Sequence, residues 1–149
     1  PGYWRNEEAT RQAFVSGYWR SGDIGSIDGE GYVRIFDRKK DMINRGGYKV
    51  YPAEVESALS DHPDIVEAAV VGAPDEVLGE IVVSFVRAGE GAVTAEAVRS
   101  FCAERMADYK VPDIVAVLSE PLPRNANGKL QKDTLRRLAL EQPRSRKPG

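Results

Sequence analysis

Ile65-Val66-Glu67-Ala68-Ala69-Val70-Val71 and Ile81-Val82-Val83-Ser84-Phe85-Val86 are two β-branched apolar runs of strand length. Each reads as a strand buried on both faces, which requires other elements packed above and below it. Gly72-Ala73-Pro74-Asp75 reads as the punctuation between them. Working back, Pro52 stands where a helix opens without losing a hydrogen bond, and Val55, Ala58 and Leu59 give that helix one apolar face. Glu54 and Glu56 suit its first turns, and Pro63 ends it. Working forward, Thr94 is an N-cap for a second helix with Val98, Phe101, Cys102 and Met106 along one stripe. Residues 114–118 predict a third strand, 121–128 a loop, and 133–140 a helix presenting Leu135, Leu138 and Ala139. Residues 1–37 read as β throughout, with Tyr18-Trp19 and 32–36 as strands and 27–31 as a turn. The fold class is α+β, a small mixed sheet with helices packed on it.

The whole chain is 149 residues, 42% hydrophobic and 30% charged. That is ordinary for a folded domain and excludes collagen-like, prion-like and disordered readings. One cysteine, Cys102, makes no internal disulfide, and one histidine, His62, leaves no zinc cluster; no metal site is expected. His62 sits in Ser60-Asp61-His62-Pro63, a helix-ending signal, which disfavours a Ser-His-Asp or Cys-His mechanism. The net charge of −2 disfavours a nucleic-acid partner. No apolar run approaches the roughly 20 residues that span a bilayer, and the N-terminus lacks a signal-peptide stretch, so a cytoplasmic setting is expected. The missing initiator Met points to a fragment.

Charge is partitioned along the chain. Residues 53–80 carry eight acids and no Lys or Arg, whereas 34–49 carry six bases against Asp37 and Asp41. Residues 132–149 carry six more against Asp133 and Glu141. The pattern reads either as an anionic ligand met locally or as solvated faces of different sign.

Three local features carry chemistry. In Tyr18-Trp19-Arg20-Ser21-Gly22-Asp23, an Asp after a Gly turn can accept two hydroxyl hydrogen bonds, as a ribose offers; an Asx-type turn is the plainer reading. After Asp37-Arg38-Lys39-Lys40-Asp41, Gly46-Gly47 permits positive φ or close approach to a ligand, with Lys49 just beyond; a charged hairpin is the alternative. In Pro123-Arg124-Asn125-Ala126-Asn127-Gly128-Lys129, an Asn-Gly turn displays one lysine, either as an electrophile for a carboxylate or phosphate or as an incidental surface charge.

In order and spacing these motifs, with Lys49-Val50-Tyr51-Pro52-Ala53-Glu54-Val55-Glu56, closely resemble the late motifs of the adenylate-forming enzymes, over roughly residues 2–140. The resemblance implies two steps: a carboxylic acid attacks ATP to give an acyl-adenylate, then coenzyme A displaces AMP to give a thioester. It implies a large N-terminal domain that holds acid, ATP and Mg, and a small C-terminal lid that rotates between the steps. It assigns Asp23 and Arg38 to the nucleotide, Lys40 to the hinge, and Gly46, Gly47 and Lys49 to the coenzyme A channel. Lys129 becomes the adenylation lysine, which in relatives is also reversibly acylated, so a protein lysine acyltransferase and deacylase are implied partners.

The Pro52-containing segment resembles the acyl- and aryl-CoA ligase branch, with a fatty or aryl acid as substrate, more than peptide-synthetase domains that deliver to a carrier protein. Residues 1–39 are then expected to end the larger domain, 40–140 to form the lid, and 141–149 a basic tail. The expectation is that this chain alone activates no acid, because the family's phosphate loop has no match in it. Two other readings stay open: a stand-alone lid-like binding module, and a nucleic-acid contact through Arg144, Arg146 and Lys147.

Overall fold

The computed structural model describes residues 2–89 and 91–142. Contacts divide the chain into two compact units, Pro1–Lys40 and Asp41–Gly149.

The first unit opens with helix α1 (Glu7–Ala13), a correction to the all-β reading of 1–37. Its start was written in the sequence: the Asn6 side chain accepts from the Ala9 N–H at 3.0 Å, and Glu7 and Glu8 occupy the first turn. Strands β1 (Phe14–Val15) and β2 (Tyr18–Trp19) form one antiparallel pair, β3 (Asp23–Ile27) and β4 (Val33–Arg38) another. No described residue of this unit is buried.

The second unit runs β5 (Ile43–Arg45), β6 (Tyr48–Val50), α2 (Pro52–Ser60), β7 (Ile65–Asp75), β8 (Gly79–Ala88), α3 (Ala95–Ala103), β9 (Ile114–Leu118) and α4 (Lys132–Glu141). The sheet order is β6-β5-β8-β7, with β9 also on β8. Strand β8 is the centre. It pairs antiparallel with β7 along its length, parallel with β9 over Val83 to Arg87, and with β5 only at Arg45 opposite Gly79.

Alternation along β8 builds two cores. Val82 and Val86 pack with Val55, Leu59, Val98 and Cys102 of α2 and α3. Ile81, Val83 and Phe85 pack with Ala116, Leu122, Leu135 and Ala139 on the other face, under α4. The α+β class with helices packed on a small mixed sheet is therefore the observed one; the second long run is its central strand and the first lies beside it at the edge.

Two local expectations are corrected. Gly72-Ala73-Pro74-Asp75 does not break the chain but finishes β7. Proline is tolerated there because β7 is an edge strand, where part of the backbone needs no ladder partner. The turn comes later, capped by Asp75 Oδ1, which accepts from the N–H groups of Val77 and Leu78 at 3.0 Å each. Met106 lies beyond α3, which ends at Ala103. Residues 143–149, the bulk of the expected basic tail and all of Arg144, Arg146 and Lys147, lie outside the described residues. Among the described residues no helix is long and apolar enough to cross a membrane.

Candidate functional site

In the first unit the β3–β4 register sets Asp23 directly opposite Arg38. Arg38 Nε lies 3.0 Å from Asp23 Oδ1, and the Asp23 N–H donates to Ser21 Oγ at 3.1 Å. The two residues assigned to the nucleotide thus share one strand end, with the guanidinium mostly exposed and the carboxylate partly buried. An acceptor for hydroxyls and a cation for phosphate stand side by side.

In the second unit Gly46 and Gly47 form the tip of the β5–β6 hairpin, at φ +57° and +89°. Only glycine takes two consecutive left-handed positions without strain. The Gly46 N–H donates to the Leu78 carbonyl at 2.7 Å, fastening the tip to the β7–β8 turn. Beneath it Arg45 makes a two-pronged pair with Asp113, Nε to Oδ2 at 2.9 Å and Nη2 to Oδ1 at 2.6 Å. That hydrogen bond with Asp113 holds the guanidinium even more firmly charged than usual. Lys49 is exposed on β6. Beside the tip is an open cleft of about 990 Å³ lined by Arg45, Arg99 and Tyr109 among others, with Tyr48 stacked on Tyr109 at 4.6 Å.

Lys129 ends a loop that is internally tied. The Asn125 side chain accepts from the N–H groups of Asn127 and Lys129 at 3.0 Å each, and the Asn125 N–H donates to the Lys129 carbonyl at 2.9 Å. Gly128 turns at φ +77°, and Arg124 Nη1 donates to its carbonyl at 2.8 Å. The Lys129 side chain is exposed, and among the described residues no acidic group pairs with its ammonium.

The two loops hang from opposite ends of one hairpin. The Gly46-Gly47 tip meets the turn after Asp75, while the Lys129 loop is bonded to Glu67, eight positions back along β7. At about 3.3 Å per residue those attachments stand roughly 25 Å apart. Lys40 is exposed, and the next residue, Asp41, has its carboxylate nearly buried against Arg136 of α4 at 2.5 Å.

The charge partition resolves inside the second unit, where acids of 53–80 meet bases from distant segments. Glu54 pairs with Lys110, Glu56 with Lys132 at 2.8 Å, and Glu67 with both Arg87 and Arg124. Sequence reasoning passed over these partners, Glu67 above all. The available signal was an acid in the middle of a run that reads as buried on both faces. His62 is structural: its ring meets Phe101 edge-on at 4.8 Å, and Nδ1 accepts from the Asp64 N–H.

Comparison with known proteins bears on this geometry. The family model of the AMP-binding enzyme C-terminal domain matches residues 54–129. A long-chain-fatty-acid–CoA ligase of Mycobacterium tuberculosis is 48% identical over 134 residues, 90% of this chain and 26% of that protein. A 2-succinylbenzoate–CoA ligase of Geobacillus kaustophilus is 48% identical over 138 residues, 92% of this chain and 28% of its own length. The structure of o-succinylbenzoate CoA synthetase from Bacillus subtilis, in complex with its acyl-adenylate intermediate, superposes with a TM-score of 0.83 at 40% identity, covering 90% of this chain and 27% of that one. This chain therefore spans between a quarter and a third of the length of the proteins it matches.

Proposed function

The chain belongs to the AMP-binding enzyme C-terminal domain family, and from that premise we propose that it is the lid portion of an ATP-dependent, AMP-forming acyl-CoA ligase. In this reading residues 1–39 finish a larger domain that binds acid, ATP and its magnesium, 40–140 form the lid, 141–149 are a basic tail, and Lys40 is the hinge. Among the described residues no group of three or more His, Cys, Asp or Glu side chains is placed to hold a metal; the magnesium is assigned to the larger domain by the family resemblance. The acid is fatty or aryl, and the setting is the cytoplasm, where ATP and coenzyme A are at hand.

The observation that carries the proposal is that the two loops are anchored at opposite ends of one hairpin, on attachment points roughly 25 Å apart. A single site cannot receive both at once, so a lid bearing them must turn to serve two steps. In the first step a carboxylate oxygen attacks the α-phosphorus of ATP and pyrophosphate leaves. The Lys129 ammonium neutralises charge growing on the phosphoryl and carboxylate oxygens. Asp23 accepts from the ribose hydroxyls, and Arg38 orients that carboxylate and faces the nucleotide. In the second step the Gly46-Gly47 tip approaches the pantetheine, with Lys49 near it. The thiol sulfur attacks the acyl carbon, the thiol proton is released, and AMP leaves with the bonding pair. Because Lys129 is exposed and has no acidic partner among the described residues, acylation by a protein lysine acyltransferase would erase the charge the first step needs, and a deacylase would restore it.

The test uses a fused enzyme in which this chain replaces the matched segment of the Mycobacterium tuberculosis ligase. Lys129→Ala is expected to slow adenylation, read as ATP–pyrophosphate exchange, by about 10²–10³-fold, the loss seen when one preorganised donor is removed. Thioester formation from supplied acyl-adenylate should stay within about twofold. Equal loss in both half-reactions, or loss in neither, refutes the assignment.

A further inference from the structure

We propose that Glu67 is the positioning residue for Lys129, holding the lysine's loop to the sheet through the Arg124 guanidinium and the Leu122 N–H. The inference rests on the adenylation role proposed for Lys129. Glu67 sits on β7 with a side chain only 16% exposed, and it accepts from three separate segments. Arg87 Nε on β8 donates to it at 2.8 Å, the Leu122 N–H at 3.2 Å, and Arg124 Nη2 at 3.0 Å. Of the three donors only Arg87 lies on the neighbouring strand β8; the other two both come from the loop that leads to Lys129.

Arg124 passes the restraint on. Its second arm, Nη1, donates to the carbonyl of Gly128, the residue before Lys129. Asn125 closes the far side through the backbone N–H and carbonyl of Lys129 itself. The lysine's main chain is therefore fixed from both directions while its ammonium has no acidic partner among the described residues. A planar fork is needed for this: a lysine at 124 has no second arm to reach both the carboxylate and the carbonyl. Bonds to an ionised acceptor are the strong kind, and Arg124 chiefly holds the Glu67 carboxyl below its usual range. Misplacing a reacting group by about 1 Å costs up to about 10²-fold in rate, so a firm seat for Lys129 has direct kinetic value.

In the fused enzyme Glu67→Gln is expected to lower kcat for adenylation about tenfold, leaving KM for ATP within about twofold and thioester formation from supplied acyl-adenylate unchanged. In a Lys129→Ala background the same substitution should cost nothing further. Arg87→Ala, which breaks only the strand-to-strand arm, should spare adenylation. Amide exchange on the 149-residue chain gives an independent reading: Glu67→Gln should speed the Asn127 and Lys129 N–H groups at least tenfold and leave the amides of β8 unchanged. Loop amides that do not respond, or equal losses in both half-reactions, overturn the inference. So does full adenylation by Glu67→Gln in an enzyme that Lys129→Ala disables. If Lys129→Ala leaves adenylation intact, the role given to Lys129 fails instead, and with it the kinetic half of this inference.

Discussion

The two units of this chain are held together by different physics. In Asp41–Gly149 a central strand is buried on both faces, and Val82, Val83, Phe85 and Val86 are fully covered. In Pro1–Lys40, two short strand pairs and one helix, no described residue is buried, and Tyr18, Trp19, Val33 and Ile35 stand exposed. Both candidate sites use an arginine–carboxylate pair. Arg38 and Asp23 are 58% and 26% exposed, whereas Arg124 and Glu67 are 44% and 16% exposed, the more covered pair by both members. The same pairing thus suits opposite tasks: near the surface its members remain available to a ligand, and near a core they hold a loop still.

The largest effect that tests this contrast is a truncation in each unit. Phe85→Ala should destabilise the second unit by about 3–5 kcal/mol in denaturant titration, as expected for an aromatic lost from a closed core. Ile35→Ala in the first unit should stay within about 0.5 kcal/mol. Similar costs would mean the first unit has a core of its own.

An intermediate effect comes from acid. The Glu67 carboxyl is held below its usual value of 4.5, mainly by its hydrogen bond with Arg124. A depressed carboxyl contributes its stability fully above the unfolded value and loses it as pH falls through the lower folded one. Wild-type chain should therefore exceed Glu67→Gln by about 1–2 kcal/mol at neutral pH, and the two should converge as the medium is acidified below 4.5. A gap that persists after full protonation would assign the effect to shape rather than charge. The smallest effect is Arg38→Ala, which should alter stability by less than about 1 kcal/mol because its ion pair is exposed.

That gradient also explains which parts of the fold were readable. The β7 and β8 runs, Pro52 and the Thr94 cap declared themselves because local propensity and burial agree there. Helix α1 did not, since without a core its sequence shows no apolar stripe and only Asn6-Glu7-Glu8 marks its start. Pro74 misled because a proline's meaning depends on whether its strand lies at an edge, which is a property of the sheet rather than of the segment. At the candidate sites Asp23, Arg38 and Lys129 were legible as motif residues. Glu67 was not, because its partners Leu122 and Arg124 lie 55 and 57 positions away.

Those separations bear on the order in which the molecule is made and folded. The β7–β8 hairpin closes through neighbours at its tip and is expected to form early, whereas β9 reaches β8 only after the α3 crossover. The lysine's seat comes later still, needing Leu122 and Arg124 delivered to a strand already laid down and Leu135 and Ala139 packed over the second core. A nascent chain emerging from the ribosome thus completes its sheet before it can hold Lys129. A chain nicked between 118 and 122 would retain the covalent order of β5 to β9 while Leu122, Arg124 and Lys129 would no longer be delivered to Glu67 by the strand that precedes them.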